Sequence, residues 1–170
     1  EELWLSPSNY LMLATNIRDN LIEQIGTKYI NEEINNNYKK LEEELSIMDA
    51  TIRSIAANAS KNGKNTIVVS DSLFKYLENY GFNIISLEDY QTNSANLTTL
   101  KNNFKSGNYK YLLVSSEEKN NEMISEITSN GGKAITVNVM NTLSEEERKN
   151  SETYFTIMNE FITNLKTITN

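Results

Sequence analysis

The chain has 170 residues, a net charge of −7 and a pI near 4.8, enough for one domain, or one and a fragment. Its 16 Lys and Arg are scattered along the sequence, which argues against nucleic acid as a partner, because phosphate binding needs a basic face. There is no Cys and no His, so disulfides, thiol catalysis, zinc fingers and imidazole-based mechanisms are excluded together.

In chain order, Ser6-Pro7 is a helix start, a Ser cap followed by Pro at the first helical position. Tyr10, Leu13, Ala14, Ile17 and Leu21 mark one face, and Gly26 stops the helix. A long helix follows. Between Glu32 and Asn58 its apolar residues Ile34, Tyr38, Leu41, Leu45, Met48, Ile52 and Ile55 recur at alternating steps of four and three. Such a stretch is roughly 40 Å long, and Gly63 supplies its break.

From Asn65 the pattern changes. Thr66 to Ser70 is a β-branched run, the signature of a strand buried on both faces. A helix with Leu73, Phe74, Leu77 and Tyr80 stops at Gly81, and Asn83 to Leu87 is a second strand. Ser94 caps a helix carrying Leu97, Leu100 and Phe104, closed by Gly107. Tyr109 to Val114 is the third strand, and a helix with Met123, Ile124 and Ile127 ends at Gly131-Gly132. Ala134 to Val137 is the fourth strand, and a last helix starts near Glu145 or Ser151 and runs to Ile168. The expected fold class is α/β, a four-stranded parallel sheet flanked by helices and preceded by the long helix. No run of about 18 apolar residues could cross a membrane. The chain opens at Glu1-Glu2-Leu3-Trp4 without an initiator Met, signal or lipid-attachment Cys, and reads as a processed protein or an excised piece.

Ligands of an open parallel sheet bind beyond the carboxyl ends of its strands. Here those ends read Ser70-Asp71-Ser72, Glu88-Asp89, Ser115 through Glu118, and Asn138 through Asn141. Asp71 closes a strand and opens a helix, so the helix's positive end favours its charge. It serves either as a helix cap or as a ligand. Glu117-Glu118 reads as a pair serving a helix dipole. Nothing marks an enzyme. No base accompanies Ser70 or Ser72, and no Gly-rich loop follows the first strand.

Several stretches together resemble one family, the zinc or manganese solute-binding proteins of bacterial ABC transporters, which include adhesin-type lipoproteins. Glu2-Leu3-Trp4-Leu5-Ser6-Pro7-Ser8-Asn9 resembles the family's His-x-Trp-Leu-x-Pro-x-Asn segment. Ile67 to Leu77, followed by Tyr80-Gly81, resembles its Val-Ser-His/Glu-x-x-Phe-x-Tyr-Leu…Tyr-Gly stretch. Ser151 to Leu165 resembles the closing helix, with Tyr154 and Met158 in place. The match runs in register over the whole chain.

The resemblance implies that residues 1–26 end an amino-terminal lobe otherwise absent, 27–63 form a connector helix, and 64–170 are the carboxyl-terminal lobe. It carries metal ligands onto Glu2, Asp71 and Asn141 (Asn138 if the gap shifts), with Ser115 where some zinc members have an acid. All expected His ligands are gone. The oxygen-only set suits manganese, magnesium or calcium better than zinc. The resemblance further implies an extracellular, lipid-anchored protein that delivers a divalent ion, manganese or zinc, to an ABC-transporter permease. The alternative is a metal-free homologue acting as an adhesin or surface interaction protein. Without the amino-terminal lobe, the helix from Pro7 to Ile25 would bare an apolar face and drive homodimerisation.

Overall fold

A computed structural model describes residues 3–90, 94–117 and 122–170. The chain divides into two compact units, Glu1–Ser54 and Ile55–Asn170. In the first, α1 (Pro7–Ile25) has Pro at its start and ends on Gly26, whose φ of +65° is the left-handed conformation that glycine adopts most readily. The side chain of Ser6 makes no capping bond, meeting Ser8 Oγ instead. The second helix, α2 (Lys28–Lys61), runs through both units. Its stripe is half-buried at Ile34, Tyr38 and Leu41, and buried from Leu45 through Ile55. Within the first unit Tyr38 joins the two helices. Its hydroxyl hydrogen-bonds Thr15 Oγ1 at 2.8 Å, and the Arg18 guanidinium lies 4.2 Å above its ring.

The second unit holds β1 (Thr66–Val69), β2 (Asn83–Ser86), β3 (Tyr111–Ser115) and β4 (Lys133–Val137), all parallel, in the order β2-β1-β3-β4. One pleat carries Val68, Leu112 and Val114. These form a core with Leu100 and Phe104 of α3 (Ser94–Lys105) and Ile124 and Ile127 of α4 (Glu122–Ser129). The other pleat, Ile67, Val69 and Leu113, is equally buried. Both faces of the central strands β1 and β3 are therefore covered, as their unbroken apolar runs require.

Two elements differ from the sequence reading. Residues Ser72–Tyr80 form a 3₁₀-helix in place of an α-helix. The burial of Phe74, Leu77 and Tyr80 gives the reason, since every third residue aligns on a helix of three residues per turn. The closing helix is two helices, α5 (Glu145–Lys149) and α6 (Tyr154–Thr169), each with its own capping box. The chain turns between them at Ser151, φ +56°.

Candidate metal centre

From β1 the chain passes to β2 on one side, then crosses back to β3 on the other. The topological switch point therefore lies between β1 and β3, the place where open parallel sheets bind their ligands beyond the strand ends. The residues there are Ser70 and Asp71 after β1, and Ser115 closing β3.

Asp71 takes an extended backbone (φ −143°, ψ 170°) and caps the 3₁₀-helix, its Oδ1 accepting the Leu73 N–H at 2.9 Å. The Ser70 hydroxyl donates to Oδ2 at 3.3 Å. Only 7% of the residue is exposed. A carboxylate so buried needs compensation, and these two donors and the helix end contribute to it. The neighbouring Ser72 N–H is held at 2.8 Å by Glu88 Oε2, from the end of β2. Beyond it, Lys75 pairs with Asp89 at 2.9 Å, a bond that raises the lysine's pKa.

The same serine reaches the next strand. Ser70 Oγ accepts the Ser115 N–H at 3.1 Å, and both residues are buried. Ser115 Oγ in turn accepts the Glu117 N–H at 3.3 Å, and Glu117 Oε1 accepts from Asn141 Nδ2 at 2.9 Å. A hydrogen-bonded path thus runs from Asp71 to Asn141 across the ends of β1, β3 and β4. Asn138 braces the last loop, its Oδ1 accepting the Met140 N–H at 2.8 Å and its Nδ2 donating to Glu147. Met140 sits there at φ +57°. Glu147 has its pKa lowered, first by the Ser144 side chain and also by Asn138. On β2, Ser86 is fully buried in register with Val69, and its hydroxyl has no hydrogen-bond partner among the described residues.

Of the three residues singled out by sequence, Asp71 and Asn141 lie on one path without bonding directly, and Glu2 is outside the described residues. Glu117, read as a helix-dipole residue, stands five positions before the first residue of α4 and holds Asn141 instead; Glu118 lies outside the described residues. Ser70 and Glu88 were named in sequence as strand-end residues, but the bonds they make to Ser115 and Ser72 were not foreseen. Among the described residues, no three acidic side chains gather closely enough to hold a metal ion by themselves. With no His or Cys in the chain, the oxygen donors at these strand ends fit a hard divalent cation better than zinc.

The fold matches a known architecture. The zinc-binding protein AdcA of Streptococcus pyogenes is 25% identical over 173 residues, covering 98% of this chain but only 32% of that protein. The metal-dependent lipoprotein YcdH of Bacillus subtilis superposes with a TM-score of 0.76 at 25% identity, over 98% of this chain and 63% of that one. The Zn(II)-bound ZnuA-like domain of Streptococcus pneumoniae AdcA superposes at 0.74 with 24% identity, over 99% and 63%. This chain therefore spans about a third of its curated relatives and under two thirds of the solved domains. The model for the family ZnuA, zinc-uptake complex component A periplasmic, matches residues 1–168, and the chain belongs to that family of metal-binding transport proteins.

Proposed function

We propose that this chain is the carboxyl-terminal part of a metal-uptake solute-binding protein. Residues 1–26 close the amino-terminal lobe, 27–63 form the stiff connector, and 64–170 are the lobe that presents Asp71. A divalent ion is captured by Asp71 together with Glu2 and the side-chain oxygen of Asn141, then handed to the permease of an ABC transporter outside the cytoplasmic membrane, where a lipid holds the whole protein. Manganese is the favoured ion over zinc, because every donor is oxygen.

The observation that carries this reading is the place of Asp71. It is a buried carboxylate at the switch point of a parallel sheet, in a chain of the zinc-uptake family. Metal content and calorimetry test the reading. The protein purified without chelator is expected to hold one equivalent of manganese or zinc, and Asp71→Ala to lose it. A chain free of stoichiometric metal that gives no heat with either ion overturns it.

One observation favours a second reading. Asn141 stands where the family has an acid, and its amide is engaged by Glu117. A metal-free homologue serving as an adhesin or surface interaction protein would look the same, and the null result above is its signature.

The apolar face of α1 belongs to the same proposal. Leu13, Ile17, Leu21 and Ile25 follow one another at four-residue steps and stay exposed, as does Met12. We assign this face to the amino-terminal lobe or, in its absence, to a second copy of the chain. Light scattering on this chain should show a mass that rises with concentration. A clean monomer at high concentration refutes the assignment.

A further inference from the structure

The end of the sheet opposite Asp71 carries a separate feature. A cavity of about 650 Å³ opens where β1 and β3 begin, within the size range of small-molecule sites. Its walls hold Lys64, Lys110, Asn108, Tyr109, Tyr111 and Thr167, over a floor that includes Val68, and no acidic side chain lines it. Lys64 and Lys110 are both exposed. The Lys64 ammonium reaches the main-chain oxygen of Asn170 across the mouth.

Lysines scattered in sequence are gathered here by the fold. Lys61, Lys105 and Lys166 stand in the last turns of α2, α3 and α6, whose carboxyl ends all lie near the cavity. Those three have an ordinary explanation, because cations favour the negative ends of helices. Lys64, just past α2, is held at the carboxyl end of α6 through the Asn170 main-chain oxygen, while Lys110 lies outside any helix. Five lysines thus stand in or beside one concavity with no acidic side chain in its lining, more positive charge than the roughly half charge at each of three helix ends offsets, in a protein whose net charge is −7.

We propose that this cavity binds a small phosphate-type anion. Lys64 and Lys110 act as point charges on its oxygens, and Tyr109 and Tyr111 flank the body that bears it. Tyr109 is already set by Phe104, the rings meeting edge to face at 5.9 Å. The site is independent of metal capture, being at the other edge of the sheet.

Inorganic phosphate is the probe, followed by amide NMR of the protein against sodium chloride at matched ionic strength. Saturable shifts are expected at Gly63, Lys64, Gly107, Asn108 and Lys110. Lys64→Gln with Lys110→Gln should weaken them about tenfold or more while the rest of the spectrum, and hence the fold, is unchanged. Lys39→Gln with Lys40→Gln, two exposed positions on α2, should change nothing. Shifts that stay linear, that chloride reproduces, or that survive the double substitution overturn the proposal. So does lysine-dependent sedimentation with phosphatidylglycerol vesicles in the absence of phosphate shifts, which would make the patch a lipid-facing surface.

Discussion

Ser70→Ala isolates what holds the carboxyl edge of the sheet together. The Ser115 N–H lies just past the last residue of β1, and Ser70 Oγ accepts it at 3.1 Å in place of a ladder carbonyl. Ser70 and Ser115 are 2% and 1% exposed, so water cannot replace the hydroxyl. Loss of a buried donor's partner costs about 1–3 kcal/mol. The bond to Asp71 Oδ2, at 3.3 Å, is long for a hydroxyl donor and adds little. The expected loss is therefore about 1–3 kcal/mol, read as a lower urea midpoint with unchanged slope. Ser72→Ala is the control, because Ser72 is exposed and such substitutions stay within about 0.5 kcal/mol. If Ser70→Ala costs no more than Ser72→Ala, the Ser115 N–H has another partner and the path from Asp71 to Asn141 is not continuous.

Two further outcomes follow from the same unit. Gly132→Ala would bring a Cβ to 2.8 Å from Ile127 Cγ2 and 2.9 Å from Phe104 Cδ1, both core atoms. Overpacking of that kind costs about 1–3 kcal/mol, so a melting temperature several degrees lower is expected, and an unchanged one contradicts the packing. Glu147, its pKa lowered below the usual 4.5 chiefly by Ser144, stabilises the fold above its unfolded pKa, and that contribution is lost as pH falls through the lower folded value. Amide shifts of Ser144 and the Asn138 side chain should titrate together below 4.5 and stop titrating in Glu147→Gln; independent titration would break the link.

How much of this was legible in sequence depended on whether the determinant was local. Pro7 and Gly26 bound α1 to the residue, because φ restriction at one end and φ freedom at the other act on the residue itself. The parallel sheet followed from alternating elements and long connections, while its order β2-β1-β3-β4 rests on tertiary packing that no local pattern encodes. Tyr109 was read into β3, yet its N–H turns back to the Asn103 carbonyl and the strand starts two residues later. The three-residue spacing of Phe74, Leu77 and Tyr80 was present in the sequence but was read as an ordinary helix, since α-helices also carry three-residue steps. In the site, the capping role of Asp71 was visible because a cap lies beside its helix. The bond between Glu117 and Asn141 was not, since 24 residues separate them.

Asp71 has two candidate duties, and they separate under one substitution. As a cap it accepts the Leu73 N–H at 2.9 Å, a task Asn performs about as well as Asp. As a ligand it offers negative charge, which Asn does not. Asp71→Asn should therefore leave stability within about 1 kcal/mol of the parent. The same change removes the one buried carboxylate named at the switch point, so manganese affinity should fall at least tenfold, about 1.4 kcal/mol. Asp71→Ala should lower both. If Asp71→Asn binds manganese as the parent does, the carboxylate is a helix cap alone and the ion, if held at all, is held elsewhere. If Asp71→Asn instead unfolds the protein, the Ser70 hydroxyl and the helix end were stabilising a charge that this edge of the sheet requires, with or without cargo.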